Sequence, residues 1–259
     1  MTAPLLPTLF LSHGAPTLSL DPGETGDRWR RLGQELPRPQ AVLCVSAHWM
    51  TEEPAVSAPE RNETIHDFYG FPEPLYRLRY DPPGAPALAD RAAALLQDAG
   101  LAPALDPARG LDHGAWVPLR SIYPKADVPV AQLSIQPRRD ARWHFKVGEA
   151  LAPLRQENIL ILASGGAVHN LRDLSREGGA TPDCAQAFDD WLAEKLAAGD
   201  TEALLDWEQA PAARRAHPSE DHFLPIFVAM GAAGRGVRAE RIYQAFDLGS
   251  LSLAAFRFD

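Results

Sequence analysis

The sequence predicts an α/β fold in which a central, mostly parallel sheet is flanked by helices within a single domain. Two observations predict it. Short apolar runs rich in β-branched residues alternate with Ala/Leu-rich segments of helical period, the pattern of parallel strands joined by crossover helices. The 24 prolines and 19 glycines are spread through junctions such as Gly70-Phe71-Pro72-Glu73-Pro74 and Asp81-Pro82-Pro83-Gly84 rather than gathered into a linker. No internal repeat or low-complexity tract divides the 259 residues, a length that suits one large domain.

Taken in order, strands are predicted at Thr8–Ser12, Ala41–Ala47, Val128–Ile135 and Ile159–Ser164, with a further β-rich pair at Arg241–Phe246 and Ser252–Phe258. Helices are predicted at Pro86–Asp98, Asp140–Leu154, Pro182–Ala197 and Leu224–Ala232. In the first of these, Leu88, Ala92, Leu95 and Leu96 form one apolar face, and Gly100 supplies the stop expected just past a helix end.

Charge and composition exclude several classes. The net charge is -9, and the pairs Arg138–Arg139 and Arg214–Arg215 are isolated, so the basic stripe of a nucleic-acid binder is missing. The longest apolar run, Asn158 to Val168, falls well short of the ~20 residues that span a bilayer. Without the basic and apolar stretches of a secretory signal at the N-terminus, a cytoplasmic location is expected. Cys44 and Cys184 form no C-x-x-C pair, so neither a disulfide framework nor a thiolate zinc site follows. A small molecule is the expected partner.

The histidines carry the chemistry. Leu9-Phe10-Leu11-Ser12-His13-Gly14 places His13 at the carboxyl end of the first strand, Val45-Ser46-Ala47-His48-Trp49 does the same for His48, and Ser164-Gly165-Gly166-Ala167-Val168-His169 does so for His169. Ligands of open α/β sheets bind outside the carboxyl ends of the strands. Imidazoles converging there suit zinc or iron(II). A further one, His222, lies near the start of the Leu224 helix, with Glu220 and Asp221 beside it as carboxylate ligands, orienting acceptors or simple helix caps.

His113 sits in a glycine-flanked loop, Gly110-Leu111-Asp112-His113-Gly114, which suits a histidine that moves protons rather than one that fixes metal. His66 could line a pocket with its aromatic neighbours, His144 is expected on a solvated helix face, and His217 in a turn.

Together, Leu11-Ser12-His13-Gly14-Ala15-Pro16, Ser46-Ala47-His48-Trp49, His66-Asp67-Phe68-Tyr69-Gly70-Phe71-Pro72, Asp112-His113-Gly114-Ala115-Trp116, Gly165-Gly166-Ala167-Val168-His169-Asn170 and His217-Pro218-Ser219-Glu220-Asp221-His222 resemble the DOPA dioxygenase family. These are extradiol aromatic ring-opening enzymes within the class III, LigB-like superfamily. The resemblance runs from Leu11 to about Ser250.

It implies the LigB-like α/β fold with one divalent metal per chain, zinc as purified or iron(II) for ring opening. The partners it implies are a small catechol and dioxygen, in a monomer or small homo-oligomer. Carried over by residue, His13, His48 and His222 match metal ligands. His169 matches a position that is either a further ligand or the acid/base histidine, and His113 matches a histidine beside the substrate. In the wider superfamily a carboxylate commonly completes the iron site, and here His222 stands at that position.

A catechol ring needs an apolar wall, for which Trp49, Phe71, Trp116 and Tyr243 are available together with His66. Removing a catechol proton needs a base of neutral pKa, which His169 or His113 supplies. Two other readings stand beside this one. A zinc hydrolase would use Glu220 as base, although no H-E-x-x-H signature occurs. A metal-binding protein of the same fold could also have lost catalysis.

Overall fold

The computed structural model describes residues 5–175 and 180–259. Its main sheet has eight strands in the order β4-β3-β5-β2-β6-β1-β10-β7. In chain order these are β1 (Thr8–Ser12), β2 (Ala41–Met50), β3 (Ala55–Ser57), β4 (Ala104–Asp106), β5 (Val130–Ile135), β6 (Ile159–Gly165), β7 (Ala239–Tyr243) and β10 (Ala255–Phe258). A separate two-stranded ribbon joins β8 (Phe246–Asp247) to β9 (Leu251–Ser252). The central strands β5, β2, β6 and β1 pair in parallel, and β10 and β7 close one edge antiparallel. The sheet is thus mostly parallel at its centre, as its near-continuous apolar strands require.

Helices cover both faces. On one lie α1 (Gly23–Glu35) and α3 (His113–Ile122); on the other, α2 (Pro86–Asp98), α4 (Ala141–Leu151), α5 (Asp183–Ala198) and α8 (Leu224–Ala233). Two short helices, α6 (Thr201–Leu205) and α7 (Ala213–Ala216), connect α5 to α8. Strand alternation feeds the two cores. Leu9, Leu11, Val42, Cys44, Leu160 and Leu162 pack toward α1 and α3, whereas Phe10, Leu43, Val45, Ile161 and Ala163 pack toward α4 and α8.

Several boundaries differ from the sequence expectation for identifiable reasons. β2 continues to Met50, so His48 lies inside the strand, in a stretch where its register against β5 shifts. α4 stops at Leu151 because Pro153 cannot donate to a continuing helix, and a 3-10 turn carries the chain on through Glu157. The pair expected at Arg241–Phe246 and Ser252–Phe258 is divided into β7, β8, β9 and β10 by breaks at Gln244–Ala245 and Leu253–Ala254, with the turn around Leu248 and Gly249 between β8 and β9. β3 and β4 are too short to announce themselves.

His144 corrects another expectation. It is buried, not solvated: its Nδ1–H donates to the Asp140 carbonyl at 2.8 Å and its Nε2 accepts the Gln136 N–H at 3.2 Å. His217, expected in a turn, follows α7 but is wholly buried against Phe223, donating from Nε2 to the Ala167 carbonyl at 2.9 Å. No described helix is long and apolar enough to cross a membrane.

Candidate metal centre and active site

The carboxyl ends of β1, β2 and β6 meet at one edge of the sheet. His13 follows β1, and its N–H donates to the Gly165 carbonyl at 3.0 Å, which fastens it to the end of β6. The loop before α8 reaches the same place because Gly166 N–H donates to the His222 carbonyl at 2.8 Å. A Cβ on Gly165 would stand 2.1 Å from that carbonyl oxygen, so glycine is what permits the approach.

Three imidazoles converge as a result. His48 Nε2 lies 3.0 Å from His13 Nε2 and 3.2 Å from His222 Nε2. The opposite nitrogens of two of these rings are already engaged. Ser164 Oγ donates to the Gly114 carbonyl, leaving its oxygen to accept His13 Nδ1–H at 3.1 Å. Asp221 accepts His222 Nδ1–H at 2.5 Å, and the Asp67 carboxylate lies 3.6 Å from His48 Nδ1. With Nδ1 protonated, the Nε2 lone pairs face one another.

That arrangement fits a divalent cation. Lone pairs at such range repel unless something positive lies among them. Zinc–nitrogen bonds of about 2.0–2.1 Å put tetrahedral ligand nitrogens roughly 3.3 Å apart, close to the spacing seen. Burial, with further repulsion from neighbouring imidazoles, pushes His13 and His222 well below the usual histidine pKa, and it takes His48 down to about 4. The rings are therefore neutral at pH 7, as ligands must be.

His113 stands beside this triad. It opens α3 rather than lying in the loop expected from the sequence, and Asp112 caps that helix by accepting the Ala115 N–H at 3.2 Å. Asp67 accepts both the His113 backbone N–H at 2.9 Å and its Nδ1–H at 3.0 Å. Burial alone would raise the Asp67 pKa, but these bonds and the nearby imidazoles outweigh it and hold the carboxylate at about 2.

Nitrogens of His13, His48 and His113 also lie within 4.8 Å of one another, which makes His113 a competing third ligand. His222, with its Nε2 at 3.2 Å from His48 Nε2, is the other candidate for that place. His169 stacks on His222, with ring centroids 3.5 Å apart and planes 4° from parallel, and burial lowers its pKa to about 4.

All five rings line one cavity of about 600 Å³. Phe68 and Phe71 form part of its wall, as do Leu171, Leu174, Leu248 and Leu251. The other aromatic residues named from the sequence do not reach it. Trp49 packs against Arg109, and Trp116 is fully buried with its indole N–H donated to the Ile65 carbonyl at 3.0 Å. Tyr243 pairs its hydroxyl with Thr25 at 3.0 Å, and His66 donates to the Leu78 carbonyl at 3.0 Å. Glu220 lines a different groove, with Asp140 and Trp207, which leaves the hydrolase reading without its base. Asp221 does not cap α8, whose N-cap residue is Phe223 without a side-chain bond.

The sequence reading missed Asp67, Ser164, Phe68 and the leucines of the wall. Asp67 was findable, since it lies within a motif immediately before the cavity aromatic Phe68. Leu174 and Leu248 lie between elements, and Leu171 and Leu251 lie in a three-residue 3-10 turn and the two-residue strand β9, too short for any periodic signal.

Fold and site together define a metal-dependent enzyme with imidazole donors at the carboxyl edge of a parallel sheet. Residues 7–256 match the family described as the catalytic LigB subunit of aromatic ring-opening dioxygenase. A protein of Beta vulgaris named 4,5-DOPA dioxygenase extradiol is 42% identical over 263 residues, covering 97% of this chain and 96% of that protein. One of the same name from Escherichia coli K12 is 40% identical, covering 98% of this chain and 94% of its own length. The crystal structure of an uncharacterized Escherichia coli K12 protein is similar at a TM-score of 0.83 and 33% identity, covering 98% of this chain and all of that one. The chain belongs to the LigB family of extradiol aromatic ring-opening dioxygenases.

Proposed function

We propose that the chain, acting as one catalytic domain, uses iron(II) and dioxygen to open a catechol ring beside its diol. The observation that carries this reading is the meeting of His13, His48 and His222 through their Nε2 atoms on the floor of a cavity that His113 and His169 also line. The relatives' names put their own cut at the 4,5 bond of DOPA; we extend the extradiol cut and the catechol ring to this chain. Iron is preferred to zinc because ring opening by dioxygen requires a metal that changes redox state, which zinc does not.

His13, His48 and His222 would hold the metal, which supplies a redox-active Lewis acid at which catechol and dioxygen meet. His113 is the base. Its Nδ1–H is committed to Asp67, so Nε2 carries the free lone pair and takes a catechol hydroxyl proton, and the carboxylate steadies the imidazolium that results. His169, neutral and stacked on His222, serves as a second proton carrier rather than a ligand. Phe68 and Phe71 flank the ring and keep water from it.

Metal analysis of single variants tests these roles. His13→Ala, His48→Ala and His222→Ala are expected to lose bound metal. His113→Ala and His169→Ala should retain it while turnover falls by about 10²-fold or more. Loss of metal from His113→Ala with retention by His222→Ala would exchange the two assignments.

A further inference from the structure

We infer that Asp112 is a positioning residue for two groups at once, the metal ligand His48 and the base His113, and that the Ser46 hydroxyl is the arm through which it reaches His48. The inference rests on the roles given to those two histidines above and extends them to a group that stands behind both.

Asp112 is fully buried, and a carboxylate so placed is stable only when hydrogen-bond donors surround it. Four donors surround this one. Its Oδ1 accepts the Ser46 hydroxyl at 2.6 Å and the Ala115 N–H at 3.2 Å, and its Oδ2 accepts Arg109 Nη2 at 2.9 Å and the side-chain amide of Gln132. These partners come from β2, the first turn of α3, the segment before α3, and β5. One anion therefore fastens the start of the helix that His113 opens against two central strands. The guanidinium that balances its charge lies over Trp49, 5.2 Å from the ring centroid, so Trp49 backs the same cluster.

The second link runs from Ser46 to His48. Between Val45 and Met50 the register of β2 against β5 shifts, and there the His48 N–H donates to Ser46 Oγ at 3.2 Å. The hydroxyl thus donates to Asp112 and accepts from His48, which sets the backbone from which the ligating ring extends. The rings of His48 and His113 stand 3.9 Å apart between centroids. Gly114 permits that closeness, because a Cβ there would meet Ser46 Oγ at 2.5 Å and His48 Cδ2 at 3.0 Å. An aspartate that only balanced charge would need Arg109 alone. This one commits a whole oxygen to the two groups that lead to ligand and base.

Cutting the links separately tests this. Ser46→Ala removes only the arm to His48. Thr8→Val removes a buried hydroxyl that donates to the Ala229 carbonyl at 2.8 Å elsewhere in the sheet, and measures a purely structural loss. Ser46→Ala is expected to weaken metal binding about tenfold and to shift the visible bands of the cobalt(II)-loaded protein, which report ligand geometry. Thr8→Val should do neither. In Asp112→Asn the amide nitrogen must face two of the four donors. That variant should show the same losses and, at saturating metal, a kcat lower by about tenfold or more with KM little changed.

Metal affinity and cobalt bands of Ser46→Ala that match the parent, or that change no more than those of Thr8→Val, overturn the inference. So does a kcat of Asp112→Asn that falls no further than that of Ser46→Ala. If Asp112→Asn does not fold, Arg109→Met, which keeps an apolar stem over Trp49 and withdraws the anchoring charge, takes its place with the same two outcomes. If the iron(II)-loaded parent consumes no catechol, the ring-opening reading fails, and metal affinity and the cobalt bands decide the inference by the same criteria.

Discussion

Asp67 grips His113 twice, accepting its backbone N–H at 2.9 Å and its ring Nδ1–H at 3.0 Å. The first bond sets the helix start that presents the ring, and the second sets the tautomer that leaves Nε2 free.

Replacing that carboxylate by its amide tests the arrangement. Asp67→Asn keeps the shape but allows its amide nitrogen to donate where a carboxylate can only accept. The account predicts a fall in kcat of about 10- to 100-fold, the effect typical of removing a group that orients a catalytic or ligating imidazole, with bound metal largely retained. Steady-state kinetics beside metal analysis reads both. Unchanged kcat would show that His113 is oriented without it.

The corresponding partner on the metal side is Asp221, which accepts His222 Nδ1–H at 2.5 Å and is held below the usual carboxylate range because that bond and the nearby imidazole outweigh its burial. Asp221→Asn should weaken metal binding by about 10- to 100-fold, measured by competition with a chromophoric chelator. The same affinity in variant and parent would mean that His222 is positioned by its backbone alone.

Gly165→Ala probes the approach of the α8 loop. The added methyl would meet the His222 carbonyl oxygen at 2.1 Å, so the loop must withdraw. Stability should fall by about 1–3 kcal/mol together with metal affinity, read by thermal melting with and without added metal. Loss of stability with intact metal affinity would separate the loop from the site.

Buried histidines away from the metal predict a pH dependence of stability. Burial lowers His144 to about 4, with its Nε2 accepting from the Gln136 N–H. Because its folded pKa lies below its unfolded value of about 6.5, its contribution is complete above pH 6.5 and is lost as pH falls toward 4. The slope is about 1.4 kcal/mol per pH unit over that window, and the total about 3 kcal/mol. His144→Gln should flatten the stability curve between pH 6.5 and 4 relative to the parent. Parallel curves would show that His144 is protonated in the fold without penalty.

The sheet and its histidine edge were legible because both depend on local pattern. His13 and His169 stand just past strands whose apolar runs are unmistakable, and the helix at Pro86–Asp98 has both its apolar stripe and its stop. Trp49 shows where the reading could have gone further. Neighbouring residues of a strand face opposite sides, so a His48 that faces the metal site sends Trp49 elsewhere. Trp116 and Tyr243 could not be placed that way, since their directions depend on how α3 and β7 pack. Leu174, Leu248 and Asp67 come from loops whose paths are set by distant contacts, such as the Thr64 bonds to Asp81 and the Leu248 bond to Ser175.

The measurement that bears most directly on the central claim is oxygen consumption by protein prepared without oxygen, loaded with iron(II) or with zinc, and given a catechol while the visible spectrum is followed. The account predicts that the iron form alone consumes one dioxygen per catechol and yields a yellow ring-opened product. Catechol left intact by the iron form, with metal bound at His13, His48 and His222, would contradict it.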